Sequence, residues 1–113
     1  MAVFTERRVA VNPTLIPSTG DRRRPPPTVD PTAEEAYWRA QYMREPYYER
    51  GYSFEDYYPA YRTGWEGRVR YHGRSFEDAE RELARDYQRN RGSSELDWRR
   101  NRHAARAAWE RLD

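Results

Sequence analysis

From Thr32 onward the apolar residues of this chain recur at intervals of three and four, the spacing that puts side chains on one face of an α-helix. Trp38 and Tyr42 lie four apart with Tyr37 beside them. Tyr61, Trp65 and Val69 repeat at four-residue spacing, led in by Tyr57 and Tyr58. Phe76, Ala79, Leu83, Tyr87 and Asn90 form a third stripe, and Trp98, Ala105, Trp109 and Leu112 a fourth. The pattern predicts an all-α fold of about four short helices in a small bundle, with Trp38, Tyr61, Trp65, Phe76, Tyr87, Trp98 and Trp109 as its aromatic core.

The starts of these stripes share one grammar. Each has a hydroxyl or acid able to take a first-turn amide, then acids where the helix dipole favours negative charge, then arginines. Asp30-Pro31-Thr32 opens the first helix, with Asp30 or Thr32 as cap and Thr32 and Glu35 spaced as a capping box; Glu35 and Arg39 add an i,i+4 ion pair. Ser53 with Asp56 opens the second, Ser75 with Asp78 the third, and Ser94 with Asp97 the fourth. Ser53-Phe54-Glu55-Asp56 returns as Ser75-Phe76-Glu77-Asp78, and Tyr87 then corresponds to Trp65. Pro46 ends the first helix, while Gly73 and Gly92 close the second and third. Pro59 lacks the N–H an α-helix needs there, so a kink near Tyr58, or a fresh helix start around Pro59, is expected. Tyr47 to Tyr52 is too aromatic for a solvated linker, and its tyrosines are expected to lie over the helices.

Six of the eight prolines fall in residues 1–31, which read as a flexible, disordered Pro/Arg-rich tail before a helical domain at 32–113. Within the tail Val9, Val11, Leu15 and Ile16 form the one aliphatic cluster, a candidate docking motif or short strand. No apolar run suits a signal sequence or membrane span, and a cytoplasmic protein with no membrane association is expected. The absence of cysteine excludes disulfides and thiolate metal sites. With so few aliphatic side chains a lone monomer is expected to be marginal, so self-association or folding on a protein partner is anticipated.

All 21 basic residues are arginine, facing 19 acids and 17 aromatics, so guanidinium stacking and forked ion pairs should be common. The net charge of +2 lies in the first 30 residues and the helical part is neutral, which argues against a dedicated nucleic-acid surface. The alternative is nevertheless nucleic-acid binding through Arg99, Arg100, Arg102 and Arg106 beside His103, with Arg22 to Arg24 as a second basic point. A bland solvent face opposite Trp98 and Trp109 explains the same arginines. Glu80, Glu82 and Asp86 read as a solvated face rather than a carboxylate site. His72 and His103 form no metal-binding spacing, and no phosphate loop, dinucleotide fingerprint or nucleophile elbow occurs. No cofactor and no enzymatic activity are expected.

Tyr37-Trp38-Arg39, Tyr52 through Trp65 around Pro59-Ala60-Tyr61-Arg62, Arg70-Tyr71-His72-Gly73-Arg74, Arg85-Asp86-Tyr87, Ser94 through Trp98 and Ala104 through Arg111 form blocks. In these blocks the chain resembles a group of small bacterial proteins of unknown function, over most of residues 37–111. The resemblance implies a stress-associated, non-catalytic helical module acting as a structural or protein-interaction protein, and it supplies no catalytic residue.

Overall fold

Each helix begins on a side chain that answers a backbone amide left over by helix geometry. In the computed structural model, which describes residues 25–113, the helices are α1 (Pro31–Gln41), α2 (Phe54–Arg70), α3 (Phe76–Asn90) and α4 (Trp98–Arg111), with a 3-10 turn at Tyr42–Arg44. Asp30 Oδ1 accepts from the amides of Thr32 and Ala33 at 3.1 and 3.4 Å, so Asp30, and not Thr32, caps α1 with Pro31 as its first residue. The Asp56 carboxylate reaches back to the Ser53 amide at 3.0 Å, Ser75 Oγ accepts from Asp78 N–H at 3.0 Å, and Asp97 accepts from Arg100 N–H at 3.0 Å. Caps of this kind stabilise a helix by about 1 kcal/mol each. Gly73 and Gly92 take φ of 92° and 57° in the turns that follow α2 and α3, a backbone region open to glycine. Among the described residues the regular structure is all helical.

Of the two expected chain breaks, the fresh helix start at Pro59 is corrected and the end of the first helix before Pro46 is found. Pro59 neither ends nor restarts a helix: α2 runs unbroken from Phe54 to Arg70. A proline this near the start leaves one carbonyl, that of Glu55, without its amide, and Glu55 is exposed, so water can serve it. The ring itself is buried, and Thr63 Oγ1 donates to the Pro59 carbonyl at 2.7 Å. At the other break, α1 gives way before Pro46 to a 3-10 turn, because the residue ahead of a proline is forced out of helical geometry; Glu45 is extended, at φ −77° and ψ 144°.

Helix α2 lies at the centre of the packing and makes its largest contact with α4 and its next with α3. Its buried Phe54, Tyr57, Tyr61 and Trp65 meet Phe76, Leu83 and Tyr87 from α3 and Trp109 from α4. Burying one such ring removes enough apolar area to contribute roughly 4–6 kcal/mol before chain entropy is charged against it. Ala104, Ala105 and Ala108 are fully buried and let α4 approach α2 closely. From α1, Trp38 stacks on Tyr61 with ring centroids 4.4 Å apart and planes 10° from parallel. Val29, ahead of α1, also packs against the core. Of the seven expected core aromatics six are buried; Trp98 is half-buried at the rim, tilted against Tyr87 and stacked on Phe76.

The loop before α2 closes the aromatic cluster from above. Tyr47 and Tyr61 share a hydroxyl–hydroxyl hydrogen bond of 2.9 Å, and the Glu49 amide donates to the Tyr57 hydroxyl at 2.8 Å. Tyr47, Tyr48 and Tyr52 are half-buried against the core, as their density in the loop requires.

Candidate interaction surface

Part of the polar chemistry of α3 and α4 bridges the two helices. The Arg102 guanidinium forks onto Glu80 at 2.5 and 2.8 Å, and Glu80 also accepts from Trp98 Nε1 at 3.3 Å. Those contacts hold the Glu80 carboxyl below the usual carboxylate range, with the Arg102 hydrogen bond the largest cause. Arg106 pairs with Glu77 at 2.6 Å and Glu110 at 2.7 Å, and both guanidinium groups lie over the Phe76 ring at 5.7 and 5.3 Å. Arg102 and Arg106 are therefore half-buried bridges between α3 and α4, not a plain solvent face.

Arg99 and Arg100 turn the other way. With His103, Tyr47, Glu49 and Asp97 they line a shallow open cleft of about 420 Å³. Arg100 donates to the Tyr52 hydroxyl at 2.8 Å and faces Glu49 at 3.6 Å, while His103 stacks with Tyr47 at 6.4 Å. The four arginines that the sequence grouped thus divide between a neutralised helix seam and a cleft where acids dilute their field. Val9, Val11, Leu15, Ile16 and Arg22 to Arg24 lie outside the described residues.

The three carboxylates also separate. Glu82 pairs with Arg74 at 3.1 Å. Asp86 is buried rather than solvated: it accepts from Arg70 at 3.0 Å and the Tyr71 hydroxyl at 2.7 Å, and pairs with Arg89. It lies next to the core residue Tyr87 and one turn beyond Leu83, which turns it toward the end of α2. Among the described residues no group of histidines and acids is placed to hold a metal ion, and no helix is long and apolar enough to cross a membrane.

A polar hub ties the centre together. Ser94, expected as a cap, donates from Oγ to the Asp56 carbonyl at 2.6 Å and leaves capping of α4 to Asp97. Asn101 Nδ2 donates to the same carbonyl and to the Tyr87 hydroxyl, each at 2.9 Å, and Tyr87 donates to the Leu96 carbonyl. These bonds fix the α3–α4 loop on the first turn of α2.

The surface the sequence reading passed over is on α1. The inward side of α1 and of the 3-10 turn that follows it carries Glu34, Trp38 and Tyr42, and the outward side carries Ala33, Ala36, Ala40 and, in the turn, Met43, all four exposed, with Tyr37 on the flank. Met43 is 60% and Tyr37 38% exposed, the two large apolar side chains left open to solvent in the described chain. Tyr37 is held in place: Arg111 lies 3.6 Å over its ring, Trp38 meets its edge at 4.8 Å, and Arg111 also binds Glu34 at 3.0 Å. The spacing 33, 36, 40 and 43 is legible as a second helical stripe, but the strong Trp38–Tyr42 pair on the other face masks it.

No family model, curated protein or solved structure matches the chain.

Proposed function

We propose that this chain is a non-catalytic helical module that works by protein contact, with the outer face of α1 as its contact surface. The observation that carries the reading is the pair Tyr37 on α1 and Met43 in the turn that follows it, both open to solvent beside an outward side of α1 that holds no charge at its centre. A surface helix ordinarily turns charge outward, and an apolar face beside oriented polar groups is what helix-in-groove and helix-on-helix recognition use. The occupant that suits it is another helix with an apolar face and charges running in the opposite sense. The stress association follows from the resemblance alone.

The alternative, contact with nucleic acid through Arg99, Arg100, Arg102 and Arg106, draws less support. Two of these are engaged by Glu77, Glu80 and Glu110, and the other two stand beside Glu49 and Asp97. Single-stranded DNA binding at low salt, where phosphate contacts are strongest, tests it directly.

The interaction reading is tested with a photo-crosslinking residue introduced at Met43, and separately at the exposed Arg85 of α3, in cells that make the protein. Specific cross-links from position 43 and none from position 85 are expected. Absence of cross-links from position 43 overturns the reading.

A further inference from the structure

We propose that Met43 is an oxidation site whose sulfoxide switches off the apolar contact face beside α1. The chemistry stands apart from the interaction reading above, and its effect on contact rests on that reading.

Sulfur is the group that peroxides oxidise first in a protein, and the reaction needs a sulfur that solvent can reach. The chain has no cysteine, and of its two methionines Met43 is the one within the described residues. Met43 is 60% exposed, so its thioether stands open where a methionine is more often packed away. The turn that carries it holds it there. Tyr42 is anchored inward, its ring meeting those of Tyr48 and Phe54 at 5.6 and 5.4 Å, and the Glu45 amide closes the turn on the Tyr42 carbonyl at 3.2 Å. Successive side chains of a 3-10 turn lie roughly 120° apart, so anchoring Tyr42 sends Met43 to solvent.

In the reaction the sulfur lone pair attacks one oxygen of hydrogen peroxide and the O–O bond breaks. The second oxygen leaves as hydroxide and takes the proton of the new S–OH group to become water, so sulfur is oxidised by two electrons and peroxide reduced by two. A sulfoxide reductase drawing two electrons from a thiol pair returns the thioether and releases the oxygen as water, which makes the change reversible. The sulfoxide is a polar, chiral acceptor in place of an apolar group. Met43 and Tyr37 are the two large apolar side chains open to solvent among the described residues, so one oxygen atom removes half of what the face offers. A partner that covers Met43 must then bury an unpaired acceptor, which weakens the contact about tenfold. The fold itself is spared, because Met43 takes no part in the core.

The purified full chain is treated with dilute hydrogen peroxide beside free methionine as an internal clock, then digested for mass spectrometry. The peptide that contains Met43 is expected to gain one oxygen at a rate close to that of the free amino acid, with the helical circular dichroism unchanged. Met43 left intact once the free methionine is consumed overturns the proposal. The switch is read separately, from a photo-crosslinking residue at the exposed Ala40 in cells that make the protein. Met43→Gln, whose polar side chain stands in for the sulfoxide, is expected to lower specific cross-links about tenfold, and Met43→Leu to keep them. A pulse of peroxide should remove them from the Met43 chain and spare the Met43→Leu chain. Cross-links that survive Met43→Gln, or that peroxide removes equally from Met43→Leu, overturn the switch and leave the interaction reading standing. An untreated chain with no cross-links from position 40 overturns the interaction reading and the switch together, and the peptide map still decides the oxidation site.

Discussion

Gly64 and Ala105 meet backbone to backbone where α2 crosses α4: a Cβ built on Gly64 would sit 2.1 Å from the Ala105 carbonyl oxygen and 2.9 Å from Ala108 Cβ. No side-chain rotation can relieve a clash with a carbonyl on the opposite helix. Gly64→Ala is expected to force the helices apart and cost about 3 kcal/mol, at the upper end for overpacking, despite the better helix propensity of alanine. At Gly67 the nearest atom is Leu83 Cδ2 at 2.3 Å, the end of a side chain that can rotate. There the propensity gain of about 1 kcal/mol roughly offsets the strain, so Gly67→Ala should be near neutral. Urea denaturation of the two variants side by side checks the contrast.

Tyr87→Phe is expected to lower stability by about 2 kcal/mol. The hydroxyl is buried between the Leu96 carbonyl, which it donates to, and Asn101 Nδ2, which donates to it. Removing it strands a buried acceptor and one amide hydrogen with no water to replace it. Tyr52→Phe is the control: it loses a bond from an exposed Arg100 and should change the urea midpoint little.

Acid should weaken the α3–α4 seam. The Glu80 carboxyl is held below its ordinary value in the fold, so its contribution is complete above the unfolded value near 4.5 and is lost as pH falls through the lower folded value. Stability is expected to decline below about pH 4.5, the ordinary carboxylate range. Glu80→Gln should be less stable at neutral pH and show a shallower decline. Urea midpoints of both proteins across that range make the comparison.

Alkali should act through the tyrosine cluster. Burial pushes Tyr47 and Tyr61 well above the ordinary value of 10, and raises Tyr57 as well. Groups raised in this way stabilise the fold fully below pH 10 and lose that contribution as pH climbs past it. Absorbance at 295 nm should therefore rise in two stages, exposed tyrosines first and the buried set together with the loss of helical circular dichroism. A single unperturbed titration would contradict the packing of Tyr47 on Tyr61.

The sequence by itself determined where the helices are and which stripe of each is buried, because caps, dipole-matched charges and three-to-four spacing are local properties. Asp30, Ser75, Asp97, Phe76, Leu83, Tyr87 and Trp109 all act as their neighbours require. Pro59 misled, because the effect of a proline depends on whether its lost bond falls where water or a neighbour can compensate. Asp86 and Ser94 misled for the same reason, since their partners Arg70 and Asp56 are distant in sequence and meet them only across helices. The tertiary structure alone decided that Arg102 and Arg106 bridge α3 to α4 while Arg99 and Arg100 face a cleft, and that the alanine side of α1 stays uncovered. One helix face is buried only when another reaches it, and in this fold α2 takes the Trp38 face of α1 and leaves the other to solvent.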